Sequence, residues 1–148
     1  MSTFTPGHVG LNVTDLDRSR GFYEAVFGFE CVQESPSPER RFAFLGEGGQ
    51  VVLTLWQQSD GRFPTDRPGL HHLAFEVADV AAVHAAESRV RATGATLLHD
   101  GVVPHGEGTS SGGIFFEDPD GIRLEIYAPV GADERLAPDA SAPTCGFF

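Results

Sequence analysis

The chain has 148 residues, 41% of them hydrophobic and 12 of them Phe, which suits one globular domain with a real core and argues against disorder. Its formal net charge of −11 repels phosphate backbones and anionic lipid, so nucleic acid and membrane are excluded as expected partners. No apolar run approaches the roughly 18 residues of a membrane span, no leader-like segment opens the chain, and two distant cysteines, Cys31 and Cys145, fit a reducing cytoplasm rather than a disulfide framework.

The predicted elements repeat. A strand over about 7–13 is followed by Asp15, a helix N-cap, and by Leu16–Phe27, where Leu16, Ser19, Tyr23, Val26 and Phe27 fall near one face. Gly28 is placed to end that helix. Strands follow near 29–35, 40–46 and 50–57, separated by Pro36, Ser37 and Pro38 and then by Glu47, Gly48 and Gly49. The Pro-, Gly- and Asp-rich stretch 58–69 reads as a linker. A second strand over 71–77 then precedes Asp79, a helix over Val80–Thr93 with Gly94 as its stop, and strands near 95–103, 111–117 and 122–128. His8-Val9-Gly10-Leu11-Asn12-Val13 parallels His72-Leu73-Ala74-Phe75-Glu76-Val77, so the chain is a duplicated βαβββ module: 6–57 and 70–128 within one domain of 1–128, with 129–148 as a C-terminal tail.

Strand alternation assigns the faces. Val9, Leu11 and Val13 share one side, as do Leu73, Phe75 and Val77; these sides should pack under the helices. His8, Gly10 and Asn12, then His72, Ala74 and Glu76, take the opposite side, and Arg123, Glu125 and Tyr127 share a side in the last strand. Two imidazoles and one carboxylate, His8, His72 and Glu125, are the minimal set that holds a divalent metal and leaves positions open. That set suits non-haem Fe(II), and also Mn, Zn or Ni. A lone strand His is more often structural; here His8 and His72 gain weight from their equivalence across the repeat. His105, in the Gly-rich loop Pro104–Thr109, is the candidate proton carrier, because imidazole titrates near neutral pH. Arg123, Tyr127, Asn12 and Phe115 are the candidate substrate contacts, with Arg123 able to grip a carboxylate or phosphate. His71 should point to the other side from His72, and His84 and His99 read as packing or surface residues.

Four segments carry a family resemblance: Gly7–Val13, Phe22–Phe29, His71–Phe75, and Phe116–Glu125 with its Asp118-Pro119-Asp120-Gly121 turn. Over about residues 6–128 the chain resembles the vicinal oxygen chelate superfamily of glyoxalases, bleomycin-resistance proteins and extradiol dioxygenases. The resemblance implies an α+β fold in which paired βαβββ modules form a curved, partly closed mixed sheet around a metal cavity, helices outside, and it implies a homodimer. It places metal ligands at His8, His72 and Glu125. Aligning Gly49–Leu53 with Gly121–Glu125 puts a further ligand position at Leu53, which cannot bind metal, and this counts against the usual lactoylglutathione lyase and epimerase sites. The expected function is a metal-dependent enzyme acting on a small substrate with vicinal oxygens, leaning to an Fe(II) extradiol-type dioxygenase. The alternatives are a lactoylglutathione-lyase-like isomerase, a fosfomycin-type thiol transferase, and a metal-free drug- or metabolite-sequestering protein. The tail, ending Cys145-Gly146-Phe147-Phe148, reads first as a flexible segment, yet its two terminal Phe are costly to expose, and it is expected to dock in a groove of its own or of the partner subunit, near a site.

Overall fold

Each half of the chain builds the same succession of elements. In the computed structural model, which describes residues 2–148, the first half forms β1 (Val9–Asn12), α1 (Leu16–Phe27), β2 (Glu30–Glu34), β3 (Phe42–Glu47) and β4 (Gln50–Trp56). The second forms β5 (Leu73–Glu76), α2 (Val80–Ala92), β6 (Val103–Pro104), β7 (Gly112–Glu117) and β8 (Arg123–Ala128). The chain divides into two compact units, one ending at Arg62 and one spanning Phe63–Phe148. Each unit holds its own four-stranded mixed sheet, ordered β1-β4-β3-β2 and β5-β8-β7-β6. In both, the first strand lies parallel to the last and the remaining pairs are antiparallel. The α+β class and the βαβββ repeat are present, with one four-stranded mixed sheet in each unit.

Both helices start where a side chain satisfies an orphan amide. Asp15 Oδ1 accepts from Arg18 N at 3.0 Å, and Asp79 Oδ1 accepts from Ala82 N at 2.9 Å. Gly28, at φ 71°, supplies the left-handed residue that closes α1. α1 buries Leu16, Ser19, Phe22, Tyr23 and Val26 against its sheet, with Phe22 taking the place expected of Phe27; α2 buries Val83, Ala86 and Val90. Either cap substitution, Asp15→Ala or Asp79→Ala, is expected to cost about 1 kcal/mol. Thermal unfolding of each variant should show this as a midpoint lowered by about 3 °C; an unchanged midpoint would rule out the cap's role.

The expected strand over 95–103 is interrupted. Leu97 forms an isolated bridge with Phe116, Leu98 N donates to Phe115 O at 2.7 Å, and pairing resumes only in the two-residue β6. Gly101, at φ 74°, turns the chain between them, and an extended run cannot pass through that conformation.

Strand register also corrects the ligand position assigned to Leu53. Val9 pairs with Leu53 and Gly10 with Thr54, whereas Leu73 pairs with Leu124 and Ala74 with Glu125. Because Gly10 and Ala74 are equivalent, the residue equivalent to Glu125 is Thr54. The slip arises at a β-bulge: Leu45 pairs with Leu53 but Gly46 with Val51, leaving Val52 as an extra residue in β4. A gapless alignment of the hairpins is therefore one residue out of frame, and one residue reverses a side chain's face. Leu53 is fully buried in the core, and Thr54 Oγ1 accepts a hydrogen bond from Trp56 Nε1 at 2.9 Å.

Candidate metal centre

β8 sets the centre in the second unit. Leu124 and Ile126 turn into the core, so Arg123, Glu125 and Tyr127 share the other face. Parallel pairing lays Ala74 beside Glu125 and Glu76 beside Tyr127, which carries His72 to the same face just ahead of β5. Antiparallel pairing adds Phe115 opposite Glu125.

The Glu125 side chain is only 3% exposed, and a carboxylate so far out of water needs partners. It has two imidazoles. His105 Nε2 meets Oε1 in a short hydrogen bond, and His72 Nε2 lies 3.6 Å from Oε2. His105 is held on its loop by its own amide, which donates to Ser111 O at 2.8 Å, and by Nδ1 at 2.9 Å from Ser111 Oγ. Its ring also sits against Tyr127, centroids 4.9 Å apart. The imidazole therefore links a hydroxyl to a carboxylate, an arrangement that can hold or pass a proton. Tyr127 donates its hydroxyl to Glu76 Oε2 at 3.4 Å, and burial together with the Glu76 charge raises its pKa.

Burial lowers the pKa of His72. Glu125 opposes the shift, while His71, Arg123 and His105 add to it. His72 thus stays neutral near pH 7, the form that ligates a metal. His71 does not point away as alternation suggested. Its Nδ1 lies 2.8 Å from His72 Nδ1, so one ring donates and the other accepts. β5 begins at Leu73, so the two histidines precede the strand and its alternation does not bind them.

His8 and Asn12 belong to the first unit. His8 is exposed immediately before β1, and the Asn12 amide is engaged with the Gln58 backbone: Nδ2 donates to its carbonyl at 3.3 Å and Oδ1 accepts from its amide at 2.9 Å. Phe115 is completely buried, its ring edge-on to His99 at 5.4 Å. By type, two imidazoles and a buried carboxylate fit a divalent metal, and His72 and Glu125 already share one face; among the described residues no group of three or more His, Cys, Asp or Glu is drawn close enough to hold an ion.

Sequence reasoning missed the partners at the other end of this cluster. Ser111 is one, two residues beyond the loop that carries His105. His99, read as a packing or surface residue, is another: the ring of Phe147, in the tail expected to dock near a site, stacks on those of His99 and His71. The only sequence signal was an apolar pair at the end of a polar tail.

The profile of the Glyoxalase/Bleomycin resistance protein/Dioxygenase superfamily matches residues 5–126. A lactoylglutathione lyase of Neisseria meningitidis is 32% identical over 136 residues, covering 88% of this chain and 94% of that protein. A catechol-2,3-dioxygenase of Bacillus subtilis is 27% identical over 124 residues, 82% of this chain but 40% of that longer protein. The crystal structure of a glyoxylase/bleomycin resistance protein/dioxygenase domain from Frankia sp. EAN1pec superposes with a TM-score of 0.72 at 27% identity, covering 86% of this chain and 93% of that one. Among the described residues no helix is long and apolar enough to cross a membrane. With its repeated βαβββ units and a profile match over most of its length, the chain belongs to the glyoxalase, bleomycin resistance protein and dioxygenase superfamily.

Proposed function

We propose that this protein is a divalent-metal-dependent enzyme acting on a small substrate with adjacent oxygen functions, and that its reaction is an Fe(II) extradiol-type oxygenation. The observation that carries the reading is the asymmetry between the two units. Glu125 is a buried carboxylate flanked by imidazoles, while its repeat-equivalent, Thr54, is a hydroxyl bonded to Trp56. The second unit supplies two candidate donors, His72 and Glu125, and the family resemblance implies His8 as a third. Two imidazoles and one carboxylate leave open positions for a bidentate substrate and dioxygen.

A bound Fe(II) would supply Lewis acidity and a path for electrons to dioxygen. The chain's own side chains do the rest. His105, between the Ser111 hydroxyl and the Glu125 carboxylate, takes the proton released when a substrate hydroxyl ionises. Arg123 offers a guanidinium on the same face, suited to an anionic oxygen on the substrate. Tyr127, kept protonated, presents a phenol beside His105.

A second reading has support in the Neisseria relative: an isomerase of the lactoylglutathione lyase kind, using another divalent metal. Oxygen uptake separates the two. Protein purified anaerobically and reconstituted with Fe(II) should consume dioxygen with a catechol and show no turnover of the hemithioacetal of glutathione and methylglyoxal. Turnover of the hemithioacetal with Ni, Zn or Mn, and no oxygen uptake, would replace the first reading with the second. Failure to bind any metal would leave ligand sequestration as the function. The free thiols of Cys31 and Cys145 accord with a reducing, cytoplasmic setting, and the family resemblance with a homodimer; sedimentation velocity tests the latter.

A further inference from the structure

The end of the chain returns to the centre built by β5 and β8. Gly131 N and Ala132 N donate to Ser110, at its Oγ (3.1 Å) and its carbonyl (2.9 Å), and Ala137 N donates to Glu107 Oε2 at 3.1 Å. A 3-10 turn, Thr144–Gly146, then anchors the segment. Thr144 is buried; its amide donates to His105 O at 2.8 Å, its hydroxyl to Pro104 O at 2.5 Å, and its carbonyl lies 3.3 Å from His99 Nε2.

Beyond the anchor, the Phe147 ring enters a ring of polar and aromatic groups. Its centroid lies 5.8 Å from that of His71 and 6.0 Å from that of His99, both stacked, 6.1 Å from His72 and 5.9 Å from Phe115, both edge-on. The Arg123 guanidinium sits 4.7 Å from the ring centre. His72 is a proposed metal ligand, and Arg123 a proposed substrate contact. Three further facts bear on what this ring does. Phe147 is at φ 55°, the one non-glycine residue with positive φ among the described residues, so local preference opposes the pose and tertiary contacts hold it. Phe148 beside it is 93% exposed and adds no anchorage. Gly146 separates the anchor at Thr144 from the ring, so the ring can leave while the anchor stays.

We infer that Phe147 is an intramolecular plug: its ring occupies the ring-binding subsite beside His72 and Arg123, and a flat aromatic ligand must displace it to enter. This rests on the reading of His72 and Glu125 as the metal and substrate centre. Arg123 makes the displaced site most favourable to a flat ring carrying negative charge. A plug closed in about nine molecules of ten weakens apparent affinity about tenfold, because only the open fraction binds.

The test compares the full chain with Phe147→Ala, with a chain ending at Gly146, and with Phe148→Ala. Diethyl pyrocarbonate modification of each histidine, followed by peptide mass, reads access to His71, His72 and His99 without any metal; exposed His84 on α2 is the internal reference. Binding of 4-nitrocatechol to the metal-loaded proteins, followed by absorbance, reads the subsite, and metal content is measured on the same samples. Both tail variants should modify these three histidines about tenfold faster and bind the probe about tenfold tighter, with His84 and the Phe148→Ala protein unchanged. Unchanged histidine rates in both tail variants overturn the inference. So does weaker probe binding, which would make Phe147 a wall of the site rather than its occupant. Absence of metal in the full chain sinks the metal reading instead, and leaves the histidine rates to decide the plug.

Discussion

Glu125→Ala protein, purified beside the parent without oxygen or added metal, is expected to carry background metal where the parent carries close to one ion per chain. Loss of a residue that only supports a metal ligand typically lowers metal affinity about 10–100-fold, so loss of a direct carboxylate ligand should lower it by more than about 100-fold. Turnover should fall in step. The fold should survive: the carboxylate side chain is only 3% exposed, and its removal takes a charge out of a site with little water. Elemental analysis and thermal unfolding of the same samples separate the two effects. Retained metal in a folded Glu125→Ala protein would show that the ligand assignment is wrong.

Phe115→Ala should do the reverse, unfolding the protein rather than emptying a site. Phe115, read from sequence as a substrate contact, has a side chain completely buried in β7. It lies under His99 and Phe147 and opposite Glu125. Truncating a buried Phe to Ala costs about 3–5 kcal/mol, since transfer and cavity terms add. Denaturant titration should show that loss. A stability change below about 1 kcal/mol would mean the ring is not part of the core.

What the sequence made legible is local. Asp15 and Asp79 sit one residue before apolar-periodic runs, Gly28 and Gly94 close them, and the helices begin where these residues place them. Alternation was enough to put Arg123, Glu125 and Tyr127 on one face, and the repeat was enough to show that both halves run through the same succession of elements. What was hidden depended on one inserted residue or on distant chain. Val52 shifts β4 by one position, and its mark is Gly46 in the partner strand, where a side chain would meet the Gln50 carbonyl; that glycine was not read as a bulge signal, so Thr54 was not told from Leu53. His71 lies outside the strand whose period was used to aim it. His105 was chosen for its loop, but its bond to Glu125, twenty residues on, comes from how β6 and β7 bring that loop back over β8. The docking of Phe147 joins residues from four separate segments, and nothing adjacent to it in sequence predicts them.

The bulge at Val52 also decides how this scaffold can be re-engineered. A designer who wants the first half to offer an acid, as the second does, would choose Leu53 from a gapless comparison and thrust a carboxylate into the hydrocarbon interior, where an unpaired charge cannot be tolerated. The position in register with Glu125 is Thr54, whose hydroxyl accepts from the Trp56 indole. One surplus residue in one strand thus sets the frame in which the two halves must be compared before either is altered.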